Sequence, residues 1–213
     1  MAHHIYKLQD GTTVPSVTTV LGRFKDAGPL MHWAWRCGVD GKDFRQERDR
    51  AADAGTLAHQ AVEAWTKGQQ PVWQAGSPEV IQRAQRAFGA FLEWAEQTKL
   101  VVDKTELPLV SEQYKFGGTF DAILLGTKRA MADWKASNGV YGEYLAQVAA
   151  YGQLWKENFP DQPIEGGFHL LRFDKTYGDF THKWWNELDA GWGFFLGLRH
   201  AYDFDKELKA RAK

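Results

Sequence analysis

The apolar pattern of this chain changes near residue 100, and that change restricts the folds open to it. Between Pro78 and Thr98, residues Ile81, Ala84, Phe88, Phe91, Leu92 and Ala95 recur at helical spacing. Beyond it, residues 101–111, 117–125 and 130–136 read as strands, the last two joined by the turn Gly126-Thr127-Lys128-Arg129. Connections this short allow only antiparallel neighbours, so the three strands form a meander. A helix from Tyr144 to Asn158 follows, then a strand over Phe168–Phe173, another from Phe180 to Trp184, and a closing helix over 186–210. The order predicts an α/β fold, with helices on both sides of a mixed central sheet.

Upstream, residues 5–8 and 12–14 predict a small hairpin around Asp10-Gly11, and Ser16 stands where a helix cap belongs. One helix is expected through Leu30–Trp35. Another runs from about Gly55 to Lys67, marked by Leu57, Ala58, Ala61, Val62 and Trp65. The reading is a single domain, with a hairpin and helical portion over 1–54 and a core plus closing helix over 55–213.

The composition of the 213 residues excludes several classes. No run approaches the roughly 18 apolar residues of a membrane span, and no apolar signal segment follows Met1, so a cytoplasmic location without membrane contact is expected. The single cysteine, Cys37, rules out a disulfide framework and any four-cysteine metal or iron–sulfur site within one chain. A net charge of −1 neither supports nor forbids a nucleic-acid partner, because a groove can be locally basic on a neutral protein. The ten tryptophans are expected to be mostly core.

The chemistry gathers on the meander. Alternation puts Asp133 and Lys135 on one face of the third strand and Trp134 on the other. Asp121 lies on the neighbouring strand after Gly117-Gly118-Thr119-Phe120, and Glu106 on the strand before. Three carboxylates and a lysine on adjacent strands suit a hard divalent cation, which takes oxygen ligands and leaves positions for water and phosphate. An isolated Asp-x-Lys is also a common surface ion pair. Glu106 and Glu112 share the same parity, so periodicity does not choose between them as the accessory acid, although Glu106 lies further inside its strand.

Gly55-x-x-x-His59, Gly118-x-x-Asp121, Asp133-x-Lys135 and Gln147-x-x-x-Tyr151 occur in that order. With Pro15-Ser16-Val17-Thr18 near the start, this series resembles the PD-(D/E)XK nuclease superfamily in its RecB-like exonuclease branch, over roughly residues 15–173. It is similar to phage exonucleases and to mitochondrial genome-maintenance exonucleases. The resemblance implies a restriction-endonuclease-like αβββαβ core. It also implies metal ligation by His59, Asp121, Asp133 and the Trp134 carbonyl, catalysis by Lys135 with Asp121, Asp133 and Glu106, and DNA contacts from Gln147 and Tyr151. Gln147 and Tyr151 also read as a buried polar pair one helical turn apart. Ala136 stands where relatives carry threonine, so Ser137 is the candidate hydroxyl. The cysteines of the iron–sulfur members are absent, and so is a phosphate-binding loop for a helicase motor.

The function this implies is a Mg²⁺- or Mn²⁺-dependent DNA exonuclease, with one or two ions, acting in phage or bacterial recombination or repair. Free single-stranded DNA ends are the expected substrate, and a single-strand annealing or binding protein is a partner it allows. Ser16, Lys25, Trp35 and Arg36 are expected to wall a channel for the strand, the aromatics stacking on bases. Of Trp33 and Trp35, two apart on a helix, at least one should face the core. The alternative is a non-catalytic nucleic-acid-binding module that keeps the fold.

Overall fold

The meander forms as its short connections require. The computed structural model describes residues 4–74, 76–99, 101–137, 139–173 and 180–212. Strands β1 (Tyr6–Lys7) and β2 (Thr13–Val14) make the expected hairpin. Four helices follow: α1 (Val17–Arg23), α2 (Gly28–Val39), α3 (Phe44–Thr66) and α4 (Pro78–Thr98). Then come β3 (Val101–Ser111), β4 (Phe116–Leu125), β5 (Arg129–Ala136), helix α5 (Gly142–Asn158), β6 (Phe168–Phe173), β7 (Phe180–Trp185) and helix α6 (Asp189–Arg211). The five larger strands form one mixed sheet in chain order. Only β5 and β6 are parallel, because α5 carries the chain back across the sheet between them.

Local chemistry sets the helix ends. Ser16 caps α1 as expected, its hydroxyl accepting the Thr19 amide at 3.0 Å. Ser77 caps α4 with Pro78 at the first turn, where a missing N–H costs nothing. One expectation is corrected: α3 starts at Phe44 rather than near Gly55, capped by the Asp43 carboxylate on the amides of Arg45 and Gln46. Its first half is charged and carries no apolar stripe, so periodicity gave no sign of it. Residues 54 and 55 therefore lie within one helix.

Each face of the sheet has its own core. On one, α3 and α4 pack Leu57, Ala61, Val62, Phe88 and Phe91 against Ala122, Leu124, Trp134, Leu171 and Phe173. On the other, α1, α5 and α6 cover Phe116, Phe120, Ile123, Met131 and Leu170 with Val17, Val20, Leu154, Trp155 and Phe195. Strict alternation would put Phe120 and Ala122 on one face, yet they belong to opposite cores. The pleat slips at Asp121. Opposite it on β3, between the pairs Thr105↔Ala122 and Leu107↔Phe120, Glu106 takes a left-handed conformation with φ of 51°. For a residue with a Cβ this is a strained backbone, held by the paired strand on either side.

Phe91 is the hub of the first core. Its ring lies 5.1–6.2 Å from those of Trp65, Phe88, Trp94, Trp134 and Phe173. Phe91→Ala is expected to cost about 3–5 kcal/mol in urea unfolding, whereas the exposed Phe204→Ala should change little. Equal midpoints for the two variants would contradict this assignment.

Candidate active site

Three elements converge where the pleat slips. Helix α3 supplies His59, β3 supplies Glu106 and β4 supplies Asp121, and one ligand atom from each lies within 4.8 Å of the others. His59 Nε2 is 3.2 Å from Asp121 Oδ1 and 3.8 Å from Glu106 Oε1. The other Asp121 oxygen accepts the Trp134 amide at 2.8 Å. Backbone pairing between β4 and β5 runs from Leu125↔Arg129 only as far as Ala122↔Ala132, so this bond takes over where the ladder ends. The N–H and C=O of an extended residue point to the same edge, so the Trp134 carbonyl also turns toward this gap.

Asp133 and Lys135 emerge beside the trio. Asp133 is 1% exposed, and the Lys135 ammonium stands 2.6 Å from its Oδ2. Asp133 lies outside the three-residue cluster, and neither of its oxygens accepts a well-aligned hydrogen bond among the described residues. Trp134 points the other way into the first core against Phe91, as alternation predicts.

Burial and like charge dominate the electrostatics. Desolvation, reinforced by the Asp121 charge, raises Glu106 to about 7. Asp133 also rises to about 7, because its burial and Asp121 together outweigh Lys135. Burial opposes a charge on His59, but the carboxylates of Asp121 and Glu106 prevail and lift it to about 9. For Asp121, burial is overcome by His59, Lys135 and the Trp134 amide, which hold it below the usual carboxylate value. Lys135 likewise overcomes its desolvation through Asp133 and Asp121 and keeps its proton more firmly than a free lysine.

The remaining candidates separate into two groups. Gln147 donates to the Tyr151 hydroxyl at 2.7 Å, and that phenol, raised by desolvation and by the Asp133 charge, lines the same cleft as Glu106. Gly118 is required beneath it, since a Cβ there would come within 2.7 Å of the Tyr151 ring. Ser16 and Tyr151 join Tyr6, Thr18, Thr119, Glu63 and Glu106 around a cleft of about 490 Å³. Lys25, Trp35 and Arg36 line none of it. Lys25 is engaged with Glu143 at 2.8 Å, while Trp35 is 63% exposed on α2, its ring 5.6 Å from that of His32. Trp33 is only half-buried, against Phe44. Ser137 is buried and donates its hydroxyl to the Gly139 carbonyl within its own turn. Glu112 accepts the Gln9 amide at 2.8 Å away from the cluster, so of the two acids left open only Glu106 is at the site.

Two further residues border the site. The Lys135 ammonium lies 5.5 Å from the centre of the Tyr144 ring, within cation–π range. Tyr144 precedes Gln147 by three and Tyr151 by seven, so the helical face carrying that motif already pointed to it. Glu63 follows His59 by one turn of α3 and raises Glu106 by its charge.

No family model and no curated protein matches the sequence. Among solved structures, the chain is similar to an inferred exonuclease from Eubacterium rectale at 11% identity and TM-score 0.45, covering 70% of this chain and 68% of that one. It is also similar to the alkaline exonuclease of Laribacter hongkongensis at 15% identity and TM-score 0.36, covering 77% and 92%. That exonuclease in complex with dAMP overlaps at 13% identity and TM-score 0.31, with the same coverage. All three overlaps are partial, and the chemistry of the site rests on its own side chains.

A stability test follows from Glu106. Its folded value of about 7 exceeds its ordinary value of 4.5, so its contribution is complete below pH 4.5 and is lost as pH rises through 7. His59, raised from 6.5 to about 9, adds a loss in the same direction over that higher window. In chelator, the wild-type melting temperature should fall from pH 5 to pH 8. Glu106→Gln should melt higher than wild type at pH 8 and close to it at pH 5. A gap that does not depend on pH would refute the assignment.

Proposed function

We propose that the chain is a metal-dependent deoxyribonuclease, a PD-(D/E)XK enzyme of the RecB-like exonuclease branch. The observation that carries this reading is the Asp133–Lys135 ion pair set beside the cluster of His59, Glu106 and Asp121. An exposed ion pair has no need of a second acid buried one strand away. The donor set fits Mg²⁺ or Mn²⁺: carboxylate oxygens with one imidazole, and two buried Asp133 oxygens short of aligned donors. Asp121, Asp133, His59 and Glu106 would hold the ion, with the Trp134 carbonyl at the same gap. When bound, it supplies charge that polarises the scissile phosphate and lowers the pKa of water.

The chain's own groups divide the remaining work. Lys135 keeps its proton, so it orients the attacking water and offsets charge growing on the phosphoryl oxygens, rather than acting as a free base. Asp133 holds that ammonium in place at 2.6 Å, and Tyr144 covers it. Tyr151 lines the cleft and meets the DNA there, and Gln147 holds its hydroxyl from behind at 2.7 Å. A cleft of about 490 Å³, lined by hydroxyls, tyrosine rings and the carboxylates of Glu63 and Glu106, takes one nucleotide unit of a single strand more readily than a duplex, which favours free single-stranded ends as substrate.

The decisive experiment is digestion of end-labelled single- and double-stranded DNA, with circular single strands as control, in Mg²⁺ and Mn²⁺. Shortening of linear single strands from an end, with circles intact, is the expected outcome. Lys135→Ala should abolish cleavage while DNA binding stays nearly unchanged, because the lysine acts on the transition state more than on the bound ground state. Near-normal cleavage by a folded Lys135→Ala protein would overturn the mechanism. DNA binding without cleavage by the wild type would leave the non-catalytic module as the function.

A further inference from the structure

Among the described residues, a second cluster of metal-ligating side chains lies on β6 and β7, at the opposite end of the sheet from β3. His169 pairs across the ladder with Trp184, and Leu171 pairs with His182, so the two histidines are diagonal neighbours on one face of the sheet. His169 Nδ1 and His182 Nε2 are 2.9 Å apart. The ring centres are 5.0 Å apart and the planes differ by 8°. With the nitrogens so much closer than the centres, the rings meet edge to edge, sharing an N–H···N hydrogen bond rather than stacking face to face.

We propose that His169 and His182 form a second metal site, selective for a borderline divalent cation such as Zn²⁺, Ni²⁺ or Cu²⁺, that clips edge strand β7 to β6. Two imidazoles with adjoining ring nitrogens offer two nitrogen ligands and no carboxylate. Mg²⁺ and Ca²⁺ avoid such a donor set, and borderline metals prefer it. The separate preference distinguishes this pair from the oxygen-rich cluster on β3 and β4.

Two features prepare the pair for ligation. Burial, with the neighbouring His182, lowers His169 to about 4, and partial desolvation of its ring lowers His182 also, so both rings are neutral near pH 7 and no proton competes for the ligand nitrogens. His182 is exposed, which leaves room for its ring to turn off the N–H···N axis so that both lone pairs meet one ion, with waters completing the coordination, while Trp94 from α4 packs 5.6 Å from its ring. On ligation each ring keeps one N–H. The ring now donating shifts its proton to its other nitrogen, and no net proton is released.

The test is calorimetric titration of the full chain with NiCl₂, alongside melting curves with and without Ni²⁺. Wild type should bind Ni²⁺ both here and at the β3–β4 cluster, whereas His59→Ala should lose only the second event and keep the one at this pair with its rise in melting temperature. His182→Ala, an exposed substitution whose folding circular dichroism can verify, should lose the event at this pair and its share of the rise while keeping the one at the β3–β4 cluster. His169→Gln should do the same. Absence of Ni²⁺ binding in wild type, or an unchanged isotherm in His182→Ala, would overturn the proposal. Loss of all Ni²⁺ binding in His59→Ala would assign it to the β3–β4 cluster alone and overturn the proposal equally.

Discussion

The carboxylate of Asp121 is the point on which the site turns. One oxygen takes an amide from β5 at the place where β4 and β5 stop pairing, and the other faces an imidazole from α3. A buried anion is costly unless its lone pairs are used, and this one uses both sides. The same side chain therefore closes the end of a ladder, joins sheet to helix and sets the field felt by Glu106, Asp133 and Lys135. A neutral isostere could fill the space and accept the amide, but it would leave Lys135 and His59 with less to hold their protons.

The geometry gathers acids where water would ordinarily separate them. Glu106 and Asp133 are each raised to about 7 by burial and by the Asp121 charge, while packing on both faces of the sheet keeps them in place. The large aromatic contacts lie one layer away, around Phe91 and around Trp155. Stability is concentrated there and strain at the site, a division common where a fold carries a charged cluster. The left-handed Glu106 belongs to that strain: its unusual backbone turns the carboxylate toward His59.

Much of this was legible in the sequence. The meander, its order and the mixed sheet follow from three strand runs with short turns and one helical crossover. Ser16 announced its cap, and parity placed Trp134 opposite Asp133 and Lys135. Other parts were not readable from pattern. The first half of α3 is held by a cap and by charged helix formers, which leave no apolar period. The slip at Asp121 violates the alternation on which strand reading depends, so no parity argument could bring Asp121 and Glu106 to the same point, and Glu106 and Glu112 share one parity. Nor could a sequence show that Lys25 is tied to Glu143, or that Trp35 and Arg36 stand apart from the cleft. Those depend on how the segment from Lys25 through α2 is carried, which tertiary packing alone decides.

The small β1–β2 hairpin has a bearing on the order of folding. The Tyr6 ring rests where a side chain at Gly117 would stand, and its hydroxyl bonds to Thr119, 113 residues along the chain. A two-stranded ribbon of this size is marginal alone. Its seat exists only after β3 and β4 have paired, and that pairing is itself local. The hairpin must then close a loop of more than half the chain, a step whose entropy is repaid late. One wall of the cleft, the one bearing Tyr6, is thus assembled after the acids beside it are already in position.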